Sequence, residues 1–255
     1  MTYFFKTDSF FAPLRRALIG SACALALAGC GGEAKAPTAG EGSEAARTSY
    51  ELADDHAIGN PAAKATIVEH ASVVCGACAN WHEAVYPDFK KKYIDSGLVR
   101  FVFREFPTPP ENLAQAGFLI ANCAGEEKFF ENISLQFKRQ KQIFAAAGTG
   151  TVKDEYIAIA KAGGLSEAEF EACLQDPDEI ARYESIVQNG IDNGVTSTPT
   201  FFVNGTKTKM FVLEDFDAAL RPILGDEATA SDKAETEKED GSEDGAAAET
   251  EMTDK

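Results

Sequence analysis

The sequence predicts an α/β domain with a helical insertion, and three observations carry the prediction. A β-branched run at 65–70 leads into Cys75-Gly76-Ala77-Cys78 and then into residues with helical spacing, with a second β-rich run at 98–104. A βαβ unit with parallel strands therefore closes around the cysteine pair. A long stretch of helical apolar spacing follows, and the domain ends in two short β-rich runs joined by Asn204-Gly205 and a final amphipathic segment.

The chain ahead of this domain reads as an address and a spacer. Lys6, Arg15 and Arg16 precede an apolar run from Ala17 to Ala28 that is too short to span a membrane comfortably. It closes in Leu27-Ala28-Gly29-Cys30, which resembles the lipobox of bacterial lipoproteins. That resemblance implies a signal peptide over 1–29 and a Cys30 that accepts diacylglycerol and becomes the lipidated first residue. The alternative is an ordinary secretory signal with a chance cysteine, and Asp8 in the long n-region is atypical for a lipoprotein. Gly31 after Cys30, by similarity to the enterobacterial sorting pattern, points to the outer membrane. Residues 30–50 are rich in Gly, Ala, Glu, Ser, Thr and Pro with no apolar period, and read as a flexible tether spanning on the order of 25 Å.

Residues 51–225 hold the core. Ala65 to His70 is the first strand, and Trp81, Val85, Phe89 and Tyr93 at four-residue steps predict an amphipathic helix over 79–93. Leu98 to Arg104 is the second strand. Apolar spacing then predicts helices through Leu113 to Cys123, Phe129 to Phe144, Tyr156 to Ala162 and Ala168 to Leu174. Gly163-Gly164 ends the third of these, and Ser166-Glu167-Ala168-Glu169 is a capping box for the fourth. Thr200 to Val203 and Thr206 to Phe211 form a hairpin around Asn204-Gly205, and Leu213 to Leu224 is the closing helix.

Residues 226–255 contain 12 acidic side chains, 3 lysines and no aromatic residue, and read as a solvated, disordered acidic tail. The tail carries −9 of the formal net charge of −17, leaving −8 for the rest. A chain this acidic is a poor electrostatic ligand for nucleic acid or anionic lipid surfaces.

The βαβ unit, helical insertion and ββα ending together resemble the thioredoxin fold as the DsbA-like family builds it. The resemblance covers about residues 54–225, with the insertion at about 109–194. It rests on Cys75-Gly76-Ala77-Cys78 after the first strand, on Thr198-Pro199-Thr200 opening the hairpin, and on the insertion between them.

The spacing suits disulfide exchange. The thiolate is the attacking species, and a cysteine at a helix N-terminus has its pKa lowered by unpaired N–H groups and the helix dipole, which makes Cys75 the nucleophile. Cys78, one turn on, is placed to attack a mixed disulfide on Cys75 and release the client. The alternative is half a zinc site completed by His70 and His82, without the second cysteine pair such sites use. The resemblance implies that Pro199 is a cis-proline opposite the cysteines, with Thr198 offering backbone groups to an extended peptide and Gly76 and Ala77 lining the same place. Glu69 matches the family's buried acid and would exchange a proton with Cys78; the alternative is a strand carboxylate paired with Arg104. His82 reads as a packing or solvated residue, and Trp81 as core.

Removing Cys23 with the signal and modifying Cys30 leaves four cysteines, two of them in the active pair. An oxidising compartment favours a disulfide between Cys123 and Cys173, the alternative being two buried free thiols. The expectation is a lipid-anchored thiol-disulfide oxidoreductase on the periplasmic side of a bacterial membrane. It would act as an oxidase toward exported polypeptides, with a membrane or periplasmic redox partner and no metal or organic cofactor. A disulfide isomerase or reductase, a thiol peroxidase and a redox-inert peptide-binding module are the other readings.

Overall fold

The computed structural model describes residues 50–225. The expected signal peptide, Cys30, the expected tether up to residue 49 and the expected acidic tail all fall outside the described residues.

Strand β2, Ala65–Ala71, is buried along its whole length and sits mid-sheet. It pairs in parallel with β3, Val99–Glu105, as the βαβ reading expects, and antiparallel with β4, Thr200–Val203. Strand β1, His56–Gly59, adds antiparallel to the outer side of β3, and β5, Thr206–Thr208, adds to β4, giving the order β1-β3-β2-β4-β5. Because both faces of β2 are covered, its sequence does not alternate polar with apolar, and even Thr66, Glu69 and His70 are buried. Ile67, Phe101, Phe103 and Phe201 face the main core, while Val68, Val102 and Phe202 form a smaller cluster on the other face.

Helix α1, Gly76–Ala84, starts at the cysteine pair. The expected helix over 79–93 does not run unbroken: it stops at Val85, and a new turn, α2, Tyr86–Phe89, passes into a π-helical turn at Lys90–Ile94. Pro87 is the cause, since it has no N–H to donate and its ring would crowd the carbonyl four residues back. Trp81 is fully buried, its ring 4.9 Å from that of Phe201 and 5.6 Å from that of Phe216.

The insertion comprises α3, Glu111–Cys123; α4, Glu126–Lys138; α5, Gln140–Thr149; α6, Val152–Ala162; α7, Glu167–Cys173; and α8, Pro177–Asp192. The expected single helix over 129–144 is two, parted at Arg139, whose guanidinium turns aside to grip Glu155 in a two-point contact. The Ser166 and Glu169 side chains form the capping box of α7 in both directions. Helix α8 has no counterpart in the sequence reading, although Asp176 caps the N–H groups of Asp178 and Glu179 and Pro177 occupies the first turn. Strand β5 stops at Thr208, short of Phe211, because the Asp215 carboxylate takes the N–H groups of Phe211 and Val212 as it caps the final helix, α9, Leu213–Leu224.

Cys123 at the end of α3 and Cys173 at the end of α7 are joined by a disulfide, with Cα atoms 6.2 Å apart. Ahead of β1, Glu51 pairs with Arg100 and Asp55 with Arg104, the latter through two 2.7 Å contacts. No helix among the described residues is long and apolar enough to cross a membrane.

Candidate active site

Strand β2 ends at Ala71, and Ser72 to Val74 turn the chain so that Cys75 becomes the N-cap of α1. Its sulfur receives the Cys78 N–H at 3.4 Å and faces the Thr198 carbonyl at 3.4 Å. Cys75 is half-buried and Cys78 fully buried, and both are free thiols. The Cys78 S–H, directed at the Cys75 sulfur, does most to lower the Cys75 pKa, to about 5; burial opposes it, and Thr198 and the backbone N–H groups of Cys78 and Ala77 add to it. Burial pushes Cys78 far up, and the nearby Cys75 and Glu69 push the same way. The two thiols are thus electrically unlike, one poised to be a thiolate at neutral pH and the other to hold its proton.

Glu69 is fully buried beneath the pair. Its Oε2 lies 2.9 Å from His82 Nε2, and not near Arg104. Strand periodicity explains this correction: Glu69 lies opposite Phe103 in register, so Arg104 projects to the other face, where Asp55 and Asn189 hold it. The same alternation separates His70 from the cysteines, so the zinc alternative loses one of its ligands. His82, read as packing or solvated, is instead the partner of Glu69, with a side chain only 6% exposed.

The Thr198–Pro199 peptide is cis and stands across from Cys75. Gly76 and Ala77 are exposed at the tip of the turn. A groove of about 740 Å³ begins at Gly76 and runs between α1 and the insertion, past His82 and Tyr86 on one side and Phe137 and Gln140 on the other. Gln140, which the sequence reading missed, donates its amide to the carbonyls of Val73 and Cys75. No local signal marks it, since its role depends on how the insertion docks.

The family model described as thioredoxin matches residues 51–221. A protein of Rickettsia typhi named for protein-disulfide oxidoreductase activity is 32% identical over 183 residues, which is 68% of this chain and 63% of that protein. The chain thus spans somewhat under two thirds of that relative's length. Among solved structures, alpha-DsbA1 of Wolbachia pipientis superposes with a TM-score of 0.63 at 23% identity, covering 72% of this chain and 98% of that one. BdbD of Bacillus subtilis gives 0.57 at 19% identity, covering 67% and 92%. These likenesses bear out the expected fold, a thioredoxin fold with a helical insertion.

Proposed function

We infer function from kinship and site together: the chain belongs to the thioredoxin family, and within it we propose a thiol-disulfide oxidoreductase that oxidises polypeptide thiols. The observation that carries this reading is the half-buried Cys75 sulfur at the N-cap of α1, with a pKa of about 5, directly above a buried Cys78. A client thiolate attacks Cys75 Sγ of the oxidised pair, forming a mixed disulfide and expelling Cys78 as a thiolate that takes up a proton. A second client thiolate attacks the client sulfur of that mixed disulfide and expels Cys75, a good leaving group because its thiolate is stable. The client leaves oxidised and the pair is left reduced, to be reoxidised by a redox partner. Glu69 is placed to exchange the Cys78 proton, and Thr198, Gly76 and Ala77 border the place where an extended client would lie.

Residues 1–30 support a periplasm-facing protein held by a lipid on Cys30, with Gly31 pointing to the outer membrane. Cys30→Ser should leave uncleaved precursor or release the protein from membranes, and a processed variant that still fractionates with lipid rejects the anchor. For the chemistry, Cys78→Ser should accumulate mixed disulfides with client proteins while Cys75→Ser accumulates few. Equal trapping by the two variants, or none by either, rejects the assignment.

A further inference from the structure

Glu69 has no solvent exposure, yet it lies beneath a thiol that must gain and lose a proton. Among the described residues its hydrogen-bond partner is His82, whose Nε2 lies 2.9 Å from Oε2, while Oε1 has none. A buried carboxylate without a cation is costly, and Arg104 is committed to Asp55 on the other face. The imidazole is therefore the group that offsets the Glu69 charge. It is also immobilised: Phe137 stacks on it with centroids 4.2 Å apart, and Tyr86 and Phe103 close in from other sides.

A carboxylate and an imidazole at this distance can share one proton between Oε2 and Nε2, and the couple is then neutral overall wherever the proton sits. When it gives that proton up, it becomes −1. We propose that His82 is a positioning residue which, with Glu69, stores the proton that Cys78 receives when the disulfide opens. The proposal rests on the disulfide-exchange reading above. In balance, the client thiolate bonds to Cys75 Sγ, the Cys75–Cys78 bond breaks, its electron pair goes to Cys78 Sγ, and the couple's proton follows it there through Glu69. Closure of the disulfide reverses each step.

The other ionisable groups around the couple are Cys75, Cys78 and Tyr86, with Glu83, Lys90, Lys138 and Lys141 along the groove. Tyr86 is pushed up by burial and by the Glu69 and Asp95 charges, so it stays neutral. Cys75, at about 5, is already a thiolate above pH 6 and takes no proton on reduction.

The test is the pH dependence of the reduction potential of the Cys75/Cys78 pair, measured in glutathione buffers by alkylation between pH 6 and 8. If the couple supplies the Cys78 proton, the natural protein takes none from solvent on reduction and its exchange constant is independent of pH beyond that of the glutathione reference. In His82→Gln the amide can still donate to Glu69 but stores no proton, so the pair of side chains no longer holds one to hand to Cys78. Cys78 must draw on solvent, so the exchange constant should change about tenfold per pH unit relative to the natural protein, 29.6 mV for two electrons. Glu69→Gln, measured alongside in case the first variant fails to fold, should show the same slope. A tenfold slope in the natural protein, or an unchanged slope in a folded variant, overturns the proposal while leaving the exchange reading intact. A pair with no measurable potential overturns the exchange reading itself.

Discussion

The side-chain amide of Gln140 donates to both the Val73 and Cys75 carbonyls, at 2.9 and 3.0 Å, so the turn that presents the reactive sulfur is held from the insertion. Gln140→Leu leaves both carbonyls without that donor and should cost about 1–3 kcal/mol. Loosening the turn should also raise the midpoint of Cys75 alkylation above the natural value near 5. Chemical denaturation and the pH profile of iodoacetamide reaction check the two effects; a variant unchanged in both removes Gln140 from the site.

The direction of electron flow can be read from melting. A stabilised Cys75 thiolate favours the reduced protein, which should unfold at a higher temperature than the oxidised one at pH 7. The folded Cys75 pKa is depressed, so its stabilising contribution is complete above the unfolded thiol pKa and fades as pH falls through about 5. The gap should therefore shrink between pH 7 and pH 4.5. Ala77→His, which places a cation beside the thiolate when protonated, should widen it at pH 6. An oxidised form that melts higher points to a reductase.

The Cys123–Cys173 bond closes a loop with a sequence separation of 50. In the chain-entropy model its removal costs up to about 4 kcal/mol. The double Cys→Ala variant should lose stability of that order in a denaturant titration while its Cys75 alkylation profile stays put. Peptide mapping that finds both cysteines alkylated without prior reduction excludes the bond.

Acid should weaken the fold through His70, buried between Phe106 and Phe202 with neither ring nitrogen hydrogen-bonded. Burial, with Arg104 and Lys207 adding, lowers its pKa to about 3. The unfolded chain binds this proton below about 6.5 and the folded protein does not, so stability present above 6.5 is lost as pH falls toward 3. His70→Gln should flatten that limb of a stability-versus-pH curve, with His56, whose pKa is also lowered by burial, leaving some slope. An identical acid limb in the variant refutes the attribution.

Elements with strong local signals were legible in the sequence: the β-branched run before the cysteines, the Asn204-Gly205 hairpin, the Ser166/Glu169 capping box. Strand β1 was not, because four half-exposed edge residues, His56 to Gly59, carry too little pattern to separate from loop. Helix α8 has its signal in Asp176-Pro177 and in the spacing of Ile180, Tyr183 and Val187. At the site, Cys75, Cys78 and Pro199 declared themselves by motif. Glu69 with His82 and Gln140 with Cys75 did not, since each joins side chains brought together only when separate elements pack.

The ion pairs ahead of β1 have a mechanical consequence. A pull on the chain from before Tyr50 meets Glu51–Arg100 and then Asp55–Arg104 before it can peel β1 from the sheet. Both arginines stand on β3, and Glu51 also accepts from the Thr66 hydroxyl near the start of β2, so tension enters the sheet through β3 and the end of β2 remote from the cysteine turn. The edge strand acts as a fuse: a tug on the N-terminal side should strip His56–Gly59 first and leave the spacing of Cys75, Cys78 and Thr198 undisturbed.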